Sequence, residues 1–504
     1  MQSPANRWLI LTALILAFFP IVIDMTILHI AVPSLTMALK AGSTEILWII
    51  DIYPLMMAGL LVPMGTLADR IGHRPLMLTG LCIFTLASAM AAFAPTPALL
   101  ITARAILAVG ASMIIPSILA LIRLSFTDDK ERAFALGLWS TVASGGAAIG
   151  PLAGGVLLEH FWWGSVFLIN IPIMLIVLPI CWRLLPYRPA RPLGNWNIGQ
   201  ALLLIAGLIT TVYAVKSGLS PTGQPTQALA LLAGGIMLLL LFARLQLRSA
   251  EPMLDLTLFS RPVFTIGLIM ALVASGAMAG FELLLAQELQ YIMGKTPLQA
   301  GLFMVPLALA SAAAGPLAGL LTGRFGLRAV ATTGMAVSAS SLFLLSRADL
   351  NNIWETSVLL VAFGLSLGCG LLASSVAIMG SAPPEKAGAA GSLEATGYEL
   401  GAGLGISFFG ILLSTIYHRA FVDGAQASEL AYTEPYSPAF HSIGEAMIIS
   451  RDIGGEQGTA IAALARASFA SAHSAVLTSS ALLIGALAVL VFIGLKGFRS
   501  NSGQ

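Results

Sequence analysis

Apolar run follows apolar run along this chain, each of about 20 residues and each cut short by a few polar ones. In lipid every backbone polar group must be satisfied within the chain, so runs of this kind fold as a bundle of membrane-spanning helices. The charge content agrees. Asp, Glu, Lys and Arg make up 10% of the 504 residues, against about 25% in soluble domains. Mean hydropathy is +0.92. The net charge of +2 argues neither for nor against an acidic partner, and no nucleic-acid partner is expected. Cys82, Cys181 and Cys369 lie in or beside apolar runs without metal or redox spacing and read as packing residues. Arg7 followed by the apolar run from Trp8 has the look of a signal peptide. No small-residue cleavage site closes that run, which continues through Asp24 to Val32, so an uncleaved first span is expected.

Counting runs gives fourteen expected spans: 8–32, 46–68, 75–94, 98–122, 134–157, 163–182, 197–216, 227–246, 262–287, 298–322, 328–346, 354–380, 387–416 and 472–495. With the N-terminus inside, the inner segments hold 17 of the 25 Lys and Arg residues, the outer segments seven and the membrane interior only Arg104. That asymmetry satisfies the positive-inside rule with both termini cytoplasmic. The one long loop, 417–471, falls outside and is expected to form a partly helical cap, with Gln457–Ala472 as one helical piece.

Two short basic turns suggest a duplication. Gly65-Thr-Leu-Ala-Asp69-Arg70-Ile-Gly72-His-Arg74-Pro75 follows span 2, and the weaker copy Gly323-Arg-Phe-Gly-Leu-Arg328 follows span 10. Setting spans 7 and 8 aside puts both turns after the second helix of a six-helix lobe. The expected organisation is a lobe at 1–190, an inserted hairpin at 191–250, and a second lobe at 251–504. Repeats of this kind place a substrate site between the lobes near the midplane.

Further patterns lie inside spans. Arg104 in span 4 is costly in hydrocarbon and calls for a carboxylate partner. Asp24 in span 1, about nine residues before its outer end, matches the depth of Arg104, six or seven residues after the outer end of span 4. Gly146, Gly150 and Gly154 share one helix face in span 5, beside Pro151 and Gly155. Small faces let membrane helices approach closely, and proline adds a kink. Gly397, Gly401 and Gly405 make a comparable stripe in span 13, whereas Gly315 and Gly319 are off register with the repeat. His29 reads as a satisfied interfacial histidine.

These motifs together resemble the major facilitator superfamily, in particular its fourteen-span drug:proton antiporters, such as bacterial methyl viologen and quaternary ammonium exporters. The resemblance covers essentially the whole chain. It implies an all-α polytopic fold in a bacterial inner membrane, a monomer, no cofactor beyond the proton gradient, and lipophilic cations as substrates: quaternary ammonium compounds, cationic dyes, viologens and bisbiguanide antiseptics. It implies that Gly65, Asp69, Arg70, Gly72 and Arg74 form a conformational latch, with Asp69 and Arg70 tying neighbouring helix ends and Gly65 letting spans 2 and 3 approach. It also implies that Gly146, Gly150, Pro151, Gly154 and Gly155 mark an exporter. Two positions depart from the pattern. Ala108 and Val109 precede Gly110 where a polar residue is usual, and His29 stands where a small amide residue is usual.

Six carboxylates fall inside spans, namely Asp24, Asp51, Glu282, Glu288, Glu394 and Glu399, and only Arg104 is expected to oppose them. An acidic interior favours a cation, and burial favours the protonated carboxyl, so competition between proton and cation suffices for antiport. Asp24 and Arg104 are the expected coupling pair, and Glu282, Glu394, Glu399 and Asp51 the expected cation-binding set. Among these, Asp51 and Glu288 are expected at solvated interfaces, Glu282 deeper, and Glu399 nearest mid-span. A proton-coupled metabolite importer and a non-transporting sensor are the alternatives. An enzyme is disfavoured, since the chain has no phosphate-binding loop, metal-spaced His/Cys cluster or nucleophile elbow.

Overall fold

A computed structural model describes residues 4–186, 197–219, 224–249, 252–383, 386–427 and 438–496. The described residues form sixteen α-helices and no strand. The first seven are α1 (Pro4–Leu39), α2 (Ser43–Ile71), α3 (His73–Ala92), α4 (Pro97–Ser125), α5 (Asp129–His160), α6 (Ser165–Leu168) and α7 (Asn170–Leu184). The middle pair is α8 (Ile198–Leu219) and α9 (Pro225–Arg248). The remainder are α10 (Pro262–Gln287), α11 (Pro297–Phe325), α12 (Leu327–Leu345), α13 (Ile353–Ser381), α14 (Ala387–Ala427), α15 (Ile443–Ile453) and α16 (Gly455–Gly494).

Local chemistry sets the breaks. Thr96 accepts a hydrogen bond from the Leu99 amide ahead of Pro97, and Thr296 with Gln299 forms a capping box ahead of Pro297. Gly72 and Gly326 turn the chain at φ +99° and +83°, a region that a side chain disfavours. Thirteen spans among the described residues are long and apolar enough to cross a membrane. The span expected at 134–157 lies in α5, a helix of 32 residues that is not among those thirteen and carries side chains outside the description.

One hydrophobic core draws almost wholly on α1–α7 and another on α10–α16. The hairpin α8–α9 packs along α2: Ile205 meets Leu60 and Met64, and a Cβ on Gly59 would lie 2.7 Å from Ile205. The expected lobe boundaries at 190 and 250 fall outside the described residues. Around the bundle, Leu86, Leu320 and Leu482 are more than 70% exposed, as a lipid-facing surface requires.

The two bundles meet along the halves of their helices that the charge count puts outside. Leu47 and Leu55 of α2 lie against Gly410 and Gly403 of α14, while Pro151 and Gly155 of α5 lie against Gly301 and Leu298 of α11. Further inward, a Cβ built on Gly137, Gly315, Gly319 or Gly323 would meet nothing within 4 Å. The seam is therefore closed in its outer half.

The expected loop at 417–471 is largely helix. The helix α14 runs on to Ala427 and α16 begins at Gly455, so only 428–437, outside the described residues, and the short α15 separate them. Helix α15 covers the outer seam. A Cβ on Gly444 would lie 2.7 Å from Thr36 and 3.0 Å from Tyr291, one from each bundle. Beneath it sits a cavity of about 70 Å³ lined by Thr36, Leu47, Tyr291, Leu413 and His441 among others.

Candidate functional site: buried charges at the seam

Asp24 of α1 and Arg104 of α4 are both buried, and Arg104 Nη1 stands 2.5 Å from Asp24 Oδ2. Arg104 Nε also donates to the Ile49 carbonyl of α2 at 3.1 Å, and its guanidinium lies 4.5 Å from the Tyr53 ring centroid. Asn170 stands beside the same carboxylate. A buried guanidinium with an anion, a carbonyl and an aromatic face around it is compensated on every side.

Glu399 of α14 approaches from the other bundle. It is buried, and its Oε2 has no hydrogen-bond partner among the described residues; the same holds for the Tyr53 hydroxyl. Tyr53 lies within electrostatic range of Asp24 and Glu399 alike. Glu399 is one helical turn inward of Gly403, the innermost of the α14 contacts to α2 named above. Buried polar atoms are rarely left unpaired, and Asp24 Oδ1 and Asp51 Oδ1 likewise have no hydrogen-bond partner among the described residues. Glu394 differs. It is half-buried and accepts from the Tyr398 hydroxyl at 2.8 Å.

Two other expected acidic positions, Asp51 and Glu288, are placed otherwise than the sequence indicated. Asp51 is fully buried rather than solvated. It stands 2.5 Å from Lys216 Nζ of α8 and accepts from Ser407 Oγ of α14 at 2.6 Å. Glu288 is buried too, 3.1 Å from His473 Nδ1 of α16. Glu282 lies 3.2 Å from His29 Nδ1, so His29 is a buried cross-bundle partner and not an interfacial residue. Arg104 is accordingly not alone in facing the buried carboxylates. Lys216 was missed because it stands at the outer end of a span, and His473 because the hydropathic span begins at 472 while the helix begins at 455.

Of the residues expected in the signature turn, Arg74 makes the tie between helix ends, and Asp69 and Arg70 do not. Asp69 is exposed and meets His73 within its own turn at 3.5 Å; Arg70 is exposed. Gly65 faces Pro116 of α4, not α3, at an ordinary 3.7 Å. The tie between helix ends is made by Arg74, which donates to the Trp182 carbonyl at the C-terminus of α7 at 2.5 Å. Arg328 in the second copy does the same to the Phe492 carbonyl at the end of α16, at 2.8 Å. Cationic groups suit helix C-termini. The two arginines occupy matching places in the repeat.

The glycine faces serve close packing. Cβ atoms on Gly146 and Gly154 would lie 2.9 and 2.7 Å from Val22 and Ile27 of α1, on either side of Asp24, and one on Gly150 would collide with Thr26. Gly155 and Pro151 turn to α11 instead. In α14, Gly397, Gly401 and Gly405 meet Leu268, Leu272 and Gly276 of α10 in equal steps of four, whereas a Cβ on Gly315 or Gly319 would meet nothing within 4 Å among the described residues.

A family model described as the Major Facilitator Superfamily matches residues 14–294 and 263–423. The methyl viologen resistance protein SmvA of Salmonella typhimurium is 45% identical over 97% of this chain and 98% of its own. The multidrug efflux pump LfrA of Mycolicibacterium smegmatis is 36% identical over 98% and 97%. The multidrug resistance protein Stp of Mycobacterium tuberculosis is 31% identical over 81% and 76%. Among solved structures, a bacterial homologue of the human lysosomal transporter Spinster, in an inward-facing, unoccupied conformation, superposes with a TM-score of 0.71 at 16% identity over all of both chains.

Proposed function

We propose that this chain, which belongs to the Major Facilitator Superfamily, is a proton-coupled antiporter that exports lipophilic cations across the bacterial inner membrane. It is a multi-pass membrane transporter and not an enzyme. The observation that carries the proposal is the pairing of a compensated carboxylate with an uncompensated one across the seam. Asp24 has its guanidinium, and Glu399, from the other bundle, has no cation within bonding distance among the described residues.

In the inward-open state the cation enters from the cytoplasmic side and settles at Glu399, one turn inside the closed outer seam. Its apolar body is taken up by the surrounding helices, and its charge by the carboxylate. The proton carried by Asp24 leaves to the cytoplasm as the cation arrives. Rocking of the bundles then opens the outer seam, the cation departs, and Asp24 is protonated from outside. Arg104 keeps Asp24 from holding its proton permanently. The names of the relatives support viologens and multidrug cations as cargo, and quaternary ammonium compounds and bisbiguanides share that chemistry. The protein works as a monomer in this scheme, since each step is contained within one chain.

The test is reconstitution in proteoliposomes with a pH step across the membrane. Methyl viologen or ethidium should accumulate on the acidic side, with protons moving the other way. Accumulation that ignores the pH step, or proton and substrate moving in the same direction, would refute the proposal.

A further inference from the structure

The inserted hairpin contributes one buried cation to the seam. Lys216, 6% exposed, extends from α8 to Asp51 of α2, lies 4.2 Å from the Trp48 ring centroid and points at the Leu47 carbonyl at 3.5 Å. Every one of these partners belongs to α2, which α8 also grips through Tyr213 against Trp48, with ring centroids 6.0 Å apart. The remaining partner of Asp51, Ser407, belongs to α14 of the second bundle. His29, itself bonded to Glu282, is the further charged or titratable neighbour of Asp51.

We infer that Lys216 is an internal counter-cation, which lets Asp51 bind Ser407 across the closed outer seam and keeps Asp51 from serving as a cation acceptor when that seam opens. The physical reason is asymmetry of attachment. Parting the bundles outside separates Ser407 from Asp51 but leaves Lys216, Trp48 and Leu47 in place on α2. A buried carboxylate bereft of its counter-charge is costly, whereas a carboxylate that keeps it is not. Asp51 can thus let go of the opposite bundle without becoming a bare anion. The hairpin becomes a working part of the outer closure, and Glu399 is left as the acceptor for cargo. Lys216 is a positioning residue that touches no cargo in this arrangement.

The inference goes beyond the antiport proposal and depends on it only in that the seam must open outside. The test therefore reads opening directly, without cargo or a proton gradient. Leu413→Cys, in a Cys82→Ser background, places a thiol on the outer cavity, and its labelling by an impermeant maleimide is timed in intact cells. Lys216→Met and Asp51→Asn should each speed labelling about tenfold or more, because each leaves an unpaired charge buried in the closed seam, and outward opening relieves it by exposing it to water. Lys216→Arg should stay near the parent. The double variant Asp51→Asn/Lys216→Met, with no charge to strand, should return to within about twofold of the parent; a residue that merely fills space would give no such return. Parental labelling in Lys216→Met, or a double variant as fast as the singles, overturns the inference. Should Lys216→Met not reach the membrane, Ser407→Ala decides. It removes only the bond across the seam, so a few-fold rise supports the inference and an unchanged rate overturns it.

Discussion

Asp24→Asn separates proton coupling from substrate handling. The amide is nearly the same size and keeps one oxygen that can accept from Arg104 at the position now 2.5 Å away. Arg104 also keeps the Ile49 carbonyl at 3.1 Å and the Tyr53 ring. The loss is that of a charge-assisted bond, about 1.5–3 kcal/mol, and it leaves the buried Arg104 facing a neutral amide, a cost of up to about 3–5 kcal/mol that the Ile49 carbonyl and the Tyr53 ring offset in part. The variant should fold and reach the membrane. An amide cannot carry a proton at physiological pH, so coupling should vanish outright. One-for-one exchange of a proton for a monovalent cation is electroneutral, so a pH step of about one unit supplies about 1.4 kcal/mol and sustains roughly a tenfold gradient. In inverted vesicles with an acidic lumen, the parent should build that gradient and Asp24→Asn should build none. Exchange of labelled for unlabelled substrate at equal pH should persist within about tenfold of the parent. A variant that accumulates substrate like the parent would move the proton to another carboxylate, with Glu282 the first to examine. Loss of exchange as well would make Asp24 part of the cargo site or of the fold.

Three further outcomes follow from named contacts. Glu399→Gln removes the unpaired buried carboxylate, so binding in detergent, read by tryptophan quenching, should weaken about tenfold for a dication and only a few-fold for a monocation; equal losses would refute a direct charge role. Gly405→Val would drive a side chain into the Gly276 backbone and force α10 and α14 apart, costing about 1–3 kcal/mol, which a thermal-shift assay would register as a lower midpoint; an unchanged midpoint would refute the close approach. Glu445, in the cap outside the membrane, is pushed up to about 7, chiefly by burial, with Glu45 nearby acting in the same direction. Its docked form binds the proton more tightly than its free form, so docking of α15 is favoured below that value and weakens as pH rises from about 5 to about 7. Hydrogen-exchange protection factors of 443–453, which are corrected for the intrinsic pH dependence of exchange, should fall over that window in the parent and not in Glu445→Gln.

The Asp24–Arg104 contact was legible because each residue lies a countable number of residues from the outer end of its span, and rise per residue converts that count to depth. The same arithmetic failed for Lys216. Its Cα stands near the outer end of α8, but a four-carbon stem carries the ammonium inward to Asp51. Depth by residue count says nothing of side-chain reach. Nor does hydropathy mark a helix that leaves the bilayer, which hid the extensions of α14 and α16 and with them the setting of His473. Arg74 was noticed as part of a motif, yet its partner was not, because the sequence does not say that the end of α7 lies beside the start of α3. Neighbour relations among helices of similar composition are set by which small faces interlock, and only Gly146–Gly154 and Gly397–Gly405 announced such faces.

Those two glycine faces bear on how a proton site in one bundle responds to cargo held by the other. Gly146, Gly150 and Gly154 press α5 onto the stretch of α1 that surrounds Asp24, while Pro151 and Gly155 of the same helix press on α11. The stripe in α14 presses α10 against the helix that carries Glu399. The helices that carry the two carboxylates are thus held by close packing, through side chains and backbone at α1 and largely through backbone at α14. Coupling between the two sites can then be electrostatic. At an effective dielectric constant of about 20, a unit charge anywhere within about 12 Å acts with at least about 1.4 kcal/mol, enough to change a proton equilibrium tenfold. A cation settling at Glu399 therefore favours departure of the proton from Asp24 without touching it. Replacing Tyr53 by Phe removes the hydroxyl but neither charge nor position, so on this argument exchange stoichiometry survives in Tyr53→Phe. A relay of hydrogen bonds through that hydroxyl would instead be broken by the same change.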